Sequence, residues 1–159
     1  MRHGSNPQFI VTVDRHELAC DEIIRLLPGR RLVASSLWGE QQVIAKLFMS
    51  GRAKAHMERE LIGYEALRKS GLKVPEVVYA GKTDVGGLYV VIYEKINLKA
   101  SVDDIWKGGD TDALFSFLEQ AHEVLAKQHE HNVYQADLHP HNFLIGDQGV
   151  YSIDYSTLV

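Results

Sequence analysis

One cysteine in 159 residues removes a whole class of answers. Cys20 alone can build neither a disulfide framework nor a multi-cysteine metal site. Proline is also scarce, at four residues, and no linker rich in Ser and Pro interrupts the chain. No apolar run approaches the ~20 residues that a membrane-spanning helix needs. The opening MRHGSNPQF lacks the apolar stretch of a secretory signal. These absences fit a reducing, cytoplasmic setting. Positive charge is not in excess either: 17 Lys and Arg stand against 21 Asp and Glu, a net charge of −4. That balance argues against general affinity for nucleic acid.

What is present is the mixture of a globular protein, 45% apolar and 24% charged, at a length that suits about one domain. The charge is unevenly laid out. Residues 1–79 carry 12 Lys and Arg against 9 Asp and Glu, while residues 80–159 carry 5 against 12. A basic half facing an acidic half suits a polyanion held partly by metal ions; uneven solvated surface charge explains it equally well.

Along the chain, residues 1–8 read as a loose tail. FIVTV (9–13) predicts a short strand, and HELACDEIIRL (16–26) either a short helix or irregular structure. Pro28-Gly29 marks a turn. RRLVASSLW (30–38) and QVIAKLF (42–48), split by Gly39-Glu40, predict two antiparallel strands. AKAHMERELIGYEALRK (53–69) predicts an amphipathic helix, with SGLKVP as its stop. EVVYAG (76–81) and LYVVIYEKI (88–96) predict two more strands, giving four or five strands and one long helix in this half. From Asp110 the period changes. Apolar positions 114, 117, 118, 121 and 125 predict a buried helix, and FLIG-DQ-GVYSI (143–153) a short hairpin. A mostly-β part followed by a helical part predicts an α+β protein with a cleft between two lobes.

The chemistry concentrates in ADLHPHNFLIGDQGVYSIDY (136–155). Asp137 and Asn142 stand in a polar loop that runs into the hairpin, and Asp154 lies at the hairpin's far end. The fold-back brings Asn142 and Asp154 together as two hard-oxygen ligands, which suits Mg²⁺ alongside phosphate oxygens and water. Asp137 is then free to accept a proton from an attacking hydroxyl. In the first half, Lys46 lies inside the strand VIAKLF, where a lysine taken alone reads as one that snorkels to water. Helical spacing sets Glu60 on the stripe Met57, Leu61, Tyr64 and Leu67, with Glu58 and Glu65 toward the polar side. A carboxylate in an apolar stripe is costly to leave unpaired, so Glu60 is the glutamate of this helix expected to have a cationic partner.

These residues resemble a family. D-L-H-P-H-N (137–142) is similar to the catalytic loop of the protein-kinase-like fold, in the form seen in small-molecule phosphotransferases. I-D-Y (153–155) resembles its metal-binding D-F-G, and VIAK (43–46) its V-A-I-K. EREL…VPEV resembles the corresponding helix of aminoglycoside phosphotransferases. Within the superfamily the chain looks most like bacterial lipopolysaccharide core kinases acting on Kdo or heptose, through RRLVASSLW…VIAKLF and ADLHPHNFL; choline-kinase-like enzymes are also similar.

The resemblance implies a two-lobed α+β fold, with a nucleotide-binding lobe over 9–96 and the start of a catalytic lobe over 97–159. It implies ATP and Mg²⁺ as cofactors, Asp137 as the catalytic base, Asn142 and Asp154 on the metal, and Lys46 fixed by Glu60 on the α/β-phosphates. VVIYEKI (90–96) resembles the strand leading into the hinge, so the Glu94 carbonyl and the Ile96 amide are expected to meet adenine. The acceptor would be a sugar or glycolipid hydroxyl, met in the cytoplasm or at the inner face of the bacterial inner membrane. Departures from the pattern are specific. No G-x-G-x-x-G is present, and Gly29, in Pro28-Gly29-Arg30-Arg31, occupies the first turn instead. Gln135-Ala136 replaces His-Arg, which argues against control by activation-loop phosphorylation, and Tyr155-Ser156 replaces Phe-Gly. The chain stops five residues beyond Asp154, so it is expected to be a fragment. A nucleotide-binding pseudokinase or scaffold is the alternative.

Other candidates weigh less. His129, His131, His139 and His141 have no cysteine near them to complete a zinc site. Trp38 and Trp106 read as packing residues. Ser35-Ser36 reads as a solvated strand edge, and Cys20 as structural.

Overall fold

The apolar runs of the first half pair into one antiparallel sheet. In the computed structural model of the chain, residues 9–71, 73–96, 98–100, 107–109, 111–130, 143–146 and 149–152 are described. The six strands are β1 (Phe9–Val13), β2 (His16–Leu27), β3 (Arg31–Trp38), β4 (Gln41–Met49), β5 (Val77–Lys82) and β6 (Leu88–Glu94). Their order in the sheet is β1-β2-β3-β4-β6-β5. Six strands thus stand where four or five were expected. The added one is β2, expected as a short helix or irregular structure. Its register with β3 slips between Cys20 and Glu22 and again between Ile23 and Arg25. Two bulges scramble the period-2 signal by which a strand is read from sequence.

Tight turns fix the first three hairpins. Asp14 and Arg15 both hold positive φ, 46° and 68°, in the two-residue link from β1 to β2. Such links need left-handed conformations to match the twist of the strands. Between β2 and β3, Arg30 N–H donates to the Leu27 carbonyl at 3.0 Å across Pro28-Gly29, with Gly29 at φ 72°. Pro then Gly with positive φ at the second place is a type II turn.

Strict alternation along β4 divides the sheet into two faces. Val43, Ala45 and Leu47 join Val11, Val13, Leu18, Cys20, Leu32, Ala34, Val90 and Ile92 in the buried core. The other face carries Lys46 and Phe48, opposite Val91 and Tyr89 of β6. The sheet curls, and its first strand reaches back to the far turn: Asp84 N–H donates to the Thr12 carbonyl at 2.9 Å, and Thr12 N–H donates to Asp84 Oδ1 at 2.9 Å. The outer edge of β1, a short β-branched run that would otherwise template pairing, is thereby engaged at Thr12.

Helix α1 (Ala53–Lys69) follows β4. Ser50 receives its incoming amides, from Arg52 on the hydroxyl and from Ala53 on the carbonyl, each at 3.1 Å. Gly71, at φ 80°, ends it with an amide bonded to the Arg68 carbonyl, the left-handed stop that the sequence SG predicts. The chain divides into two compact units: Met1–Glu58 with Glu76–Lys95, and Arg59–Pro75 with Ile96–Val159. The expected boundary lay at 96/97. The observed one lies between Lys95 and Ile96, and the second unit also takes in Arg59–Pro75, most of α1 and the segment after it.

In the second unit, β7 (Leu98–Ala100), β8 (Phe143–Gly146) and β9 (Gly149–Ser152) form a three-stranded antiparallel sheet in the order β7-β8-β9. The β8–β9 hairpin matches the expected one, whereas β7 was not foreseen. Helix α2 (Thr111–Glu130) packs against β9. Its buried positions are Phe117, Val124 and Gln128. The expected stripe is corrected at one place: Leu118 is 50% exposed, and Val124 lies on the buried side. An apolar run longer than its stripe leaves some members outside, and Phe115 and Leu118 are those members.

Candidate functional site

Lys46 sits near the middle of β4, an interior strand, opposite Val33 of β3 on one side and Val91 of β6 on the other. Only 9% of it is exposed. A lysine this deep in a sheet is unusual, because ammonium groups normally reach water from the ends of their stems. Glu60 is 0% exposed. It stands on the buried row Ala53, Met57, Glu60, Tyr64 and Leu67, whose spacing follows the helical period. The other two carboxylates of the helix point outward. Glu58 lies 4.0 Å from Lys54, and Glu65 lies 3.4 Å from Arg68. The choice of Glu60 as the inward carboxylate therefore stands. Lys46 belongs to the first unit and Glu60 to the second, each buried where it is.

Gly29 occupies the tip of the β2–β3 hairpin. Its turn is a tight one, tied to the end of β4 by Met49 N–H donating to the Arg30 carbonyl at 2.8 Å. Glu94 ends β6 opposite Val43. Its amide donates to the Glu76 carbonyl at 2.8 Å, and its carboxylate accepts from the Glu76 amide at 3.0 Å. This clasp holds the last residue of β6 against the lead-in to β5. Ile96 opens the second stretch of the second unit and is half-buried. The structure thus sets Gly29, Lys46 and Glu94 on one sheet.

Asp137, Asn142 and Asp154 lie outside the described residues. Of their surroundings, the β8–β9 hairpin is described. Phe143 pairs with Ser152, so the strand ends nearest to Asn142 and Asp154 in the chain are neighbours. Among the described residues no group of three or more His, Cys, Asp and Glu could hold a metal ion. Oxygen donors of the Asn142 and Asp154 kind are the chemistry that Mg²⁺ takes.

Several side chains have structural roles. Trp38 donates from Nε1 to the Val13 carbonyl at 3.0 Å and packs edge-on to His16 and tilted against Tyr79. Ser36 is a correction: β3 is an interior strand, and this hydroxyl is buried, donating to Cys20 Sγ at 3.4 Å and to the Ala34 carbonyl at 3.3 Å. Burial pushes the Cys20 thiol above its ordinary pKa; the Ser36 bond opposes this and the Asp21 charge adds to it. Such a thiol is a poor nucleophile. Trp106, His131, His139 and His141 lie outside the described residues.

One basic residue escaped the sequence reading. Arg25 lies opposite Val33, in the row that contains Lys46. With residues 16–26 unassigned, its face could not be read; a strand with its bulges located is the signal that finds it. Compared with known proteins, the chain matches no family model and no curated protein.

Proposed function

We propose that the chain is an ATP- and Mg²⁺-dependent phosphotransferase of protein-kinase-like fold, acting on a sugar hydroxyl. The observation that carries this reading is the burial of two residues of opposite charge on consecutive elements, Lys46 in β4 and Glu60 in α1. A strand lysine followed by a helix glutamate is the arrangement by which kinases hold the α- and β-phosphates. A hairpin before that strand, and a second hairpin framed by Asn142 and Asp154, agree with it.

In this reading Lys46, steadied by Glu60, neutralises the α/β-phosphates. Backbone groups at Glu94 and Ile96 hold adenine. Asn142 and Asp154 would hold Mg²⁺, which neutralises charge on the phosphate oxygens when bound. Asp137 orients the acceptor hydroxyl and takes its proton. The hydroxyl oxygen then bonds to the γ-phosphorus while the bond to the β–γ bridging oxygen breaks, and ADP leaves. A sugar of lipopolysaccharide core, Kdo or heptose, is the acceptor we favour, met at the cytoplasmic face of the inner membrane. This choice rests on the resemblance of RRLVASSLW…VIAKLF and ADLHPHNFL; aminoglycoside-like and choline-like acceptors are the neighbouring classes.

Calorimetry of MgATP with this chain tests the reading, beside Lys46→Ala and Asp154→Ala. Saturable binding that both substitutions weaken at least tenfold is expected, each removing a charge-assisted contact. A folded chain that binds no MgATP would end the proposal. Asp137→Ala is expected to abolish turnover while leaving nucleotide affinity within a few-fold. The tight Pro28-Gly29 turn, in place of a glycine-rich loop, favours a second reading, a nucleotide-binding scaffold. Binding without turnover toward any hydroxyl acceptor, in the longest available form of the protein, would select it.

A further inference from the structure

Residues directly opposite each other on neighbouring strands project from the same face of a sheet. Lys46 lies opposite Val33, and Val33 lies opposite Arg25. Arg25 and Lys46 therefore project from one face with Val33 between them, two strand spacings or about 10 Å apart. Arg31, opposite Phe48, projects from the same face two residues further along. From 23 to 31 the chain reads IIRLLPGRR, three arginines and no carboxylate. Glu22, opposite Ser35, is an acid of β2 on this face. Arg25 is exposed and Lys46 is buried, so one cation faces solvent and the other lies at depth.

The turn beside them limits how phosphate could be held. A glycine-rich loop works through converging backbone amides. Here Pro28 has no N–H, and the Arg30 amide is spent on the Leu27 carbonyl at 3.0 Å. The Gly29 amide is left at the tip, too little to converge on a phosphate by itself. Recognition at this hairpin therefore falls to side-chain charge, and a guanidinium offers phosphate a bidentate fork. We infer that Arg25 is a polyphosphate clamp, closing over the outer phosphates of a nucleoside triphosphate whose inner phosphates meet Lys46. The inference rests on the phosphotransferase reading and names the side chain that does the work of the absent loop.

The test is calorimetry of this chain and of Arg25→Gln with MgATP, AMP and inorganic tripolyphosphate; Arg25→Lys keeps the charge without the fork. Arg25 is exposed, so neither variant disturbs the core. Arg25→Gln is expected to weaken MgATP and tripolyphosphate about tenfold each, the loss of one charge-assisted pair. AMP should stay within about twofold, since it lacks the outer phosphates, and Arg25→Lys should fall between. Unchanged MgATP and tripolyphosphate affinity in Arg25→Gln would overturn the clamp and leave the nucleotide site standing. A wild-type chain that binds tripolyphosphate through Arg25 but neither nucleotide would leave an anion site at Arg25 and overturn both the nucleotide clamp and the phosphotransferase reading. Failure to bind any of the three would overturn both.

Discussion

Glu60 and Lys46 are charged residues that the fold buries, at 0% and 9% exposure. A buried ion costs several kcal/mol that only good geometry and further hydrogen bonds return. The place of Glu60 on the buried row of α1 was legible because helical spacing alone fixes which residues share a face. If the two act as a pair, a double-mutant cycle of Lys46→Met and Glu60→Gln should give a coupling of about 1–3 kcal/mol in urea unfolding. Additive effects within about 0.5 kcal/mol would mean that they do not act as a pair. Cys20 gives the opposite case, a titratable group that burial silences. Its thiol is held above the ordinary pKa by desolvation first, with Asp21 adding and Ser36 opposing. The folded chain keeps this proton at a pH where the unfolded chain has released it. Stability from this group is therefore complete below the ordinary thiol range and falls as pH rises through it. The urea midpoint of wild type should drop more between neutral and alkaline pH than that of Cys20→Ala. Equal drops would show that the thiol does not contribute.

Among the elements, legibility followed the cleanness of the period. Helix α1 was readable to its last residue, because its buried row repeats at helical spacing and Gly71 stops it with a left-handed φ of 80°. Strands β3 and β4 were readable from apolar runs around a Gly-containing turn. Strand β2 was not, because two bulges break its alternation and exposed Ile23, Ile24 and Leu26 mimic a helical cluster. That one miss also hid Arg25, since a residue's face is unknown until its strand is. The turn after β2 was read correctly and invites a clean measurement. A Cβ at Gly29 would meet nothing within 4 Å, so Gly29→Ala adds no clash. The cost is the left-handed backbone alone, about 1–2 kcal/mol. Urea unfolding should show a loss of that size with an unchanged m-value. A loss below about 0.3 kcal/mol would mean that the hairpin tip relaxes into another turn.

At the scale of the molecule, the curl of the sheet joins parts of the chain that no local pattern connects. Thr12 and Asp84 are 72 residues apart, yet each donates to the other. Pairing at that separation is set by twist and register accumulated over six strands, which a one-dimensional reading cannot add up. The join matters because β1 is an edge strand with Val11 and Val13 turned into the core and Ile10 outward. Asp84→Ala removes the carboxylate that accepts the Thr12 amide while leaving the reverse backbone bond possible. The expected loss is about 0.5–1.5 kcal/mol, the net worth of one such bond. Its distribution says more than its size. If the clasp serves only to hold the edge, amide exchange should quicken along β1 and its pairing with β2 while β4 and β6 keep their protection. A uniform loss across all six strands would instead make β1 part of a single cooperative unit, closed by this bond. The core is shared by residues of β1, β2, β3, β4 and β6, but β1 is paired along its length on the β2 border and, among the described residues, engaged on its other border through Thr12. The local outcome follows from that arrangement, with the strand carrying Lys46 left intact when the edge opens.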